Sequence, residues 1–174
     1  LFLGAKEEPD AMRSRRAAGF TLIELLVVVA ILGIIMALAA FNFRNAIERS
    51  RQRRSMGDMR ALSTAIESYA IDFERYPPAS AFVLPVGLDL PAGNLVATRP
   101  YLQPTYLRAV PLADGWNSWF GYGTTAVRTD YVLRSAGRGG AAQTAPLYGP
   151  TTDLSDDIIL VNGQFAQWPE GSQR

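Results

Sequence analysis

Apolar positions follow two regimes along this chain. From Leu25 to Phe43 neither a charge nor a proline interrupts the run. Farther on, Met59, Leu62, Ile66, Tyr69, Phe73 and Tyr76 recur at spacings of three, four, three, four and three. That rhythm marks one side of a helix, and Arg60, Glu67, Asp72 and Glu74 lie off it. Between Asn45 and Tyr76 there is no proline and a single glycine, Gly57. The pattern predicts one helix of about fifty residues, roughly 80 Å by rise per residue. Its first part, 20–43, is apolar on every side, and its second, 44–76, is amphipathic.

The all-round apolar run would be about 28 Å long as a helix, close to hydrocarbon thickness. A buried core helix rarely stays apolar on all sides for that length. A secretory signal would carry a shorter apolar region with a small-residue cleavage site after it, whereas Gly19 precedes this run. A membrane span is therefore expected. A single carboxylate, Glu24, stands at its start. A lone charge is costly in an apolar setting, so Glu24 calls for a partner or a role.

Beyond the helix the pattern changes again. Residues 77–111 hold seven of the eleven prolines, which predicts an irregular connection with at most a short helix. "SWFGYGT" (118–124) and "DYVLRSAG" (130–137) read as strands. In "DIILVNGQFAQW" (157–168), Asn162-Gly163 separates two apolar runs, a strong hairpin signal. "RGGAAQTAPLYGPTTDLSDD" (138–157) reads as a loop. The expected fold is α+β: a long N-terminal helix whose amphipathic half packs on a small antiparallel sheet, with residues 77–168 as a globular region and 169–174 as a tail.

Composition narrows the chemistry. The chain has 174 residues, a net charge of +1, no cysteine and no histidine. Disulfides, thiolate chemistry and the commonest general base are thereby excluded. The scattered carboxylates have no nucleophile or base beside them, so no catalytic constellation is expected. Near-neutral charge argues against a nucleic-acid partner. Arginines cluster at 13–16 and 44–60, on both sides of the apolar run, so charge counting leaves its orientation open. "GWNSWFGY" is read as sheet core rather than a carbohydrate platform.

"GFTLIELLVVVAILGII", preceded by the basic leader "MRSRRAAG" (12–19), resembles the N-terminal signal of type IV pilins and type II secretion pseudopilins. The resemblance implies a pilin-like fold, cleavage by prepilin peptidase after Gly19, and N-methylation of the new first residue, Phe20. It also gives Glu24 a role, since after cleavage it can pair with the Phe20 ammonium of the same or a neighbouring subunit. The leader is 1–19. Residues 1–11 are expected to be dispensable or to lie upstream of a start at Met12. The implied topology is single-pass in the inner membrane, with a cytoplasmic N-terminus and a periplasmic C-terminal domain.

"IESYAIDFERYPPA" is similar to the end-of-helix motif of major pseudopilins through Tyr69, Asp72, Tyr76 and Pro77. "YLRAVPLADGWNSWFGY" resembles a second motif through Tyr106, Pro111, Asp114, Trp116 and Tyr122, with Gly115 and Asn117 departing from its Asp-Pro-Trp-Gly. The implied protein is a structural subunit of a short periplasmic filament that supports protein export. Its implied partners are prepilin peptidase, further copies of itself, other pseudopilins, the inner-membrane assembly platform and membrane lipid. A type IV pilus subunit for adhesion or motility and a minor pseudopilin are the alternatives. Members of the family bind calcium before the last strand, which places Asp153, Asp156 and Asp157 as candidate ligands. The other acid of the family site, in an Ala-Asp-Gly turn, is replaced by Arg138. The same acids could equally cap turns and stay solvated.

Overall fold

The computed structural model describes residues 19–79, 95–141, 143 and 147–171, with the backbone alone for 41 and 42. The leader up to residue 18, the start at Met12, part of the proline-rich stretch and the end of the tail lie outside them.

Helix α1 spans Leu22–Phe73. Thr21 caps it: its Oγ1 accepts from Glu24 N at 3.3 Å and its carbonyl accepts from Leu25 N at 3.2 Å. This satisfies donors that a helix start leaves unpaired. The helix ends three residues before the expected Tyr76. Glu74 has φ 55° and turns the chain out, and Pro77 disfavours helical backbone at residue 76. The chain divides into two compact units, one ending at Phe41 and the other running Asn42–Arg174. In the first, every large apolar side chain from Leu22 to Leu38 is exposed.

In the second unit the predicted stripe is the core. Met59, Leu62, Ile66 and Tyr69 are buried together with Phe120, Tyr122, Tyr131, Leu133, Ile158 and Leu160. Phe73 remains half in solvent, stacked on Tyr69 at 4.4 Å. Tyr76 packs edge-on against Tyr131 at 4.6 Å. A short 3₁₀ turn (Leu95–Thr98) runs into helix α2 (Arg99–Leu102); the turn supplies Leu95 and the helix Leu102 to the same core.

The sheet contains β1 (Gly121–Thr124), β2 (Tyr131–Ser135), β3 (Gly149–Thr151), β4 (Ile158–Val161) and β5 (Gln164–Pro169), in the order β1-β2-β4-β5-β3. Tyr122 pairs with Leu133, Leu133 with Leu160, and Leu160 with Phe165, an apolar row across four strands facing α1. The expected hairpin is present, with Asn162 and Gly163 both at positive φ (45° and 83°), as a tight two-residue turn requires. The sheet differs from the expected antiparallel one in one strand. β3, inside the segment read as a loop, pairs parallel to β5. Pro150 cannot donate to a ladder, which confines such a strand to an edge.

A bulge opposite Ile159–Leu160 breaks the alternation of β5. Phe165 therefore faces the helix, while Gln167 pairs with Ile159, whose side chain packs with Val132 on the opposite face.

Candidate functional site

Three groups of residues singled out in the sequence occupy distinct places. At the start of α1, Phe20 is 80% exposed and precedes the helix, and Glu24 lies in its first turn. The Gly19–Phe20 bond is thus outside regular structure. Thr21 and Glu24 have capping-box spacing, Thr-x-x-Glu, a cue overlooked in reading the sequence. α1 is long and apolar enough to cross a membrane, and Glu24 is the only charge between Gly19 and Phe43.

The second group joins the two motifs of the globular unit. Tyr106 donates to Asp72 Oδ2 at 2.5 Å and meets Tyr69 edge-on at 5.8 Å. The hydrogen bond to Asp72 pushes the Tyr106 phenol up to about 12. Tyr122 donates to the Pro77 carbonyl at 2.9 Å. Burial raises the Tyr122 and Tyr131 hydroxyls well above the ordinary tyrosine value.

Asp114 organises the "DGWNS" turn. Its Oδ1 accepts from Trp116 N and Ser118 N, both at 2.9 Å, and its Oδ2 accepts from Ser135 Oγ at 2.6 Å. Both departures from the family motif have a structural reason. Gly115 donates to Ser55 Oγ at 2.9 Å, which proline could not do. A Cβ at Gly115 would also collide with the Arg51 carbonyl. Asn117 takes the left-handed backbone (φ 68°) that glycine otherwise fills. Trp116 Nε1 donates to Glu48 Oε2 at 2.6 Å. Glu48 and Ser55, missed in the sequence, anchor this turn to α1.

The third group is the acidic segment before β4. Asp153 is exposed and its Oδ1 accepts from Ser155 N at 2.8 Å. Asp156 Oδ1 accepts from Gln143 Nε2 at 2.6 Å. Asp157 is buried; its Oδ2 accepts from Gln143 N at 3.0 Å and lies 3.9 Å from Arg134 Nε. Burial raises the Asp157 carboxyl, while the Gln143 N–H and then the Arg134 charge pull it back. Arg138 donates to Ser155 Oγ at 3.2 Å, and its backbone N–H to the Leu154 carbonyl at 2.9 Å. Calcium takes six to eight oxygens around one point. Among the described residues, no three carboxylates gather in that way. Any such centre here would have to draw most of its oxygens from the backbone.

Comparison with known proteins adds the lineage. Residues 14–40 match the prokaryotic N-terminal methylation motif, and residues 42–148 match the family described as type II secretion system (T2SS), protein G. The chain is 31% identical over 159 residues to type II secretion system core protein G of Klebsiella pneumoniae, covering 91% of this chain and 99% of that protein. It is 32% identical over 153 residues to the protein of the same name from Dickeya chrysanthemi, covering 83% and 86%. It is 42% identical over 84 residues to type IV major pilin protein PilA of Myxococcus xanthus, but this covers only 48% of this chain and 37% of that one. No solved structure matches significantly.

Proposed function

Given that this chain belongs to the type II secretion system protein G family, and so is a structural subunit of the pseudopilus, we propose how its two ends of chemistry serve assembly. Prepilin peptidase cuts the Gly19–Phe20 bond and methylates Phe20. The domain from Asn42 onward stands in the periplasm, and the leader stays in the cytoplasm. The subunit waits in the inner membrane, then joins other pseudopilins in a short filament raised by the membrane assembly platform. The protein acts by assembling rather than by catalysis.

One observation carries this reading. The first half of α1 presents apolar side chains on every side, and its one charge sits at the capped end. In a bundle of such helices the Phe20 ammonium leaves water, and Glu24, four residues on, is the carboxylate available to it. A buried pair is tolerable where a lone buried charge is not. The helix N-terminus also favours a nearby carboxylate.

Two measurements test the proposal. Mass spectrometry of the mature chain is expected to find N-methyl-Phe20 as the first residue; a first residue upstream of Phe20 overturns the processing step. Electron microscopy of filaments formed on overexpression is expected to show pseudopilus-like fibres that depend on the secretion platform. Long surface fibres made independently of it would favour the type IV pilus alternative suggested by the PilA match.

A further inference from the structure

Gln143 makes four hydrogen bonds that tie together three stretches of chain. Its backbone N–H and side-chain amide reach Asp157 and Asp156. Its Oε1 accepts from Asp157 N at 3.2 Å and from Gln167 Nε2 at 2.8 Å. Gln167, itself fully buried, also donates to the Asp157 carbonyl at 2.8 Å and accepts from Leu147 N at 2.9 Å. Arg134 and Gln167 both register with Ile159, on the face of the sheet turned away from α1. Gln143 and Leu147 therefore bond to the outer face of the sheet, where polar groups would otherwise be buried without partners.

Several of the oxygens a divalent cation would need here already accept from protein donors, among them Asp153 Oδ1, Asp156 Oδ1 and Asp157 Oδ2. The Leu154 carbonyl is bonded to Arg138 N. Among the described residues of this segment, the one buried side-chain oxygen without a hydrogen-bond partner is Asp157 Oδ1. The positive charge nearest that carboxylate is already supplied by Arg134. A second guanidinium, Arg138, is bonded within the acidic stretch.

We propose that Gln143, with the Arg134 charge beside Asp157, closes the segment between β2 and β4 in this chain, and that the globular unit holds its fold without a divalent cation. The glutamine bridges Asp156 and Asp157 and satisfies the Asp157 N–H, and the Arg134 guanidinium supplies the positive charge. The inference concerns the fold of the domain and stands apart from its role in the filament.

The test uses the full chain in detergent micelles. Tryptophan fluorescence reports the globular unit, since Trp116, Trp119 and Trp168 all lie in it. Thermal midpoints in excess calcium and in excess EGTA are expected to coincide. Gln143→Ala is expected to lower the midpoint by about 3–6 °C, as loss of a modest hydrogen-bond contribution does in a domain of this size, equally in both buffers. A wild-type midpoint that rises with calcium overturns the proposal, as does a Gln143→Ala midpoint equal to wild type. If the variant does not fold, amide hydrogen exchange on the wild-type chain decides. Equal protection of the Gln143, Leu147 and Asp157 amides in the two buffers supports the proposal, and protection only with calcium overturns it.

Discussion

The two halves of α1 share one backbone geometry and differ in what covers them. From Leu22 to Leu38 the large apolar side chains are exposed on all sides of the helix. From Met59 to Tyr69 the apolar residues stand on one face, and the chain's own sheet buries them. Burying a large apolar side chain is worth roughly 1.5–3 kcal/mol. The second half gains that within a single subunit. The first half gains it only from surroundings outside the subunit, whether lipid or other copies of the same helix. A mutation in the first half should therefore alter assembly, and one in the second should alter folding.

The largest expected effect is at Glu24. Glu24→Ala should leave membrane insertion and cleavage intact, because it only raises the apolarity of the span and lies outside the Gly19–Phe20 bond. Filaments should be lost, since breaking a buried charge pair costs about 3–5 kcal/mol at every subunit. Filament yield measured beside a cleavage assay checks this; normal filaments from processed Glu24→Ala chains would remove the contrast between the halves.

Leu62→Ala is the counterpart in the second half. It should cost about 3 kcal/mol of domain stability through the cavity it leaves, seen in denaturant unfolding followed by tryptophan fluorescence, with insertion unchanged. Gly115→Ala should cost somewhat less, about 1–3 kcal/mol, by forcing the "DGWNS" turn away from the Arg51 carbonyl.

Alkaline pH gives a smaller effect, confined to the second half. Burial raises the folded pKa values of Tyr122 and Tyr131 above the ordinary 10.0. The unfolded chain therefore loses those protons first, and stability should be constant below that value and fall as pH climbs past it. Unfolding followed across this range should show a shallower fall in Tyr122→Phe. The smallest effect is expected at Val29→Leu, which should leave the midpoint of the globular unit unchanged because Val29 is exposed in the isolated chain.

How much of this was legible in the sequence follows from the range of each signal. The long helix and its stripe were readable because spacing along a helix is a local property, and Asn162-Gly163 announced its turn for the same reason. The helix end was misplaced by three residues because Tyr76 is a core residue without being helical. β3 was hidden because Gly149-Pro150 looks like a turn, and its partner is β5, beyond the intervening β4. The Gln143 bridge was invisible. Glutamine in a polar loop carries no pattern, and the bulge that turns Gln167 outward breaks the alternation a reader would rely on. Both acids it holds were singled out, yet what surrounds them depends on contacts between distant segments.

The strand order also has a consequence for how the molecule is made. β5 lies between β4 and β3, although it is the last of the five to leave the ribosome. Until it arrives, β3 has no neighbour to pair with and β4 has one bare edge. Its turn comes to rest against Glu67, nearly a hundred residues upstream, and closures of that sequence separation are slow. A chain that has not yet placed β5 therefore leaves that side of the sheet open. The β4–β5 hairpin thus works as a clasp, since β3 joins the rest of the sheet only through β5.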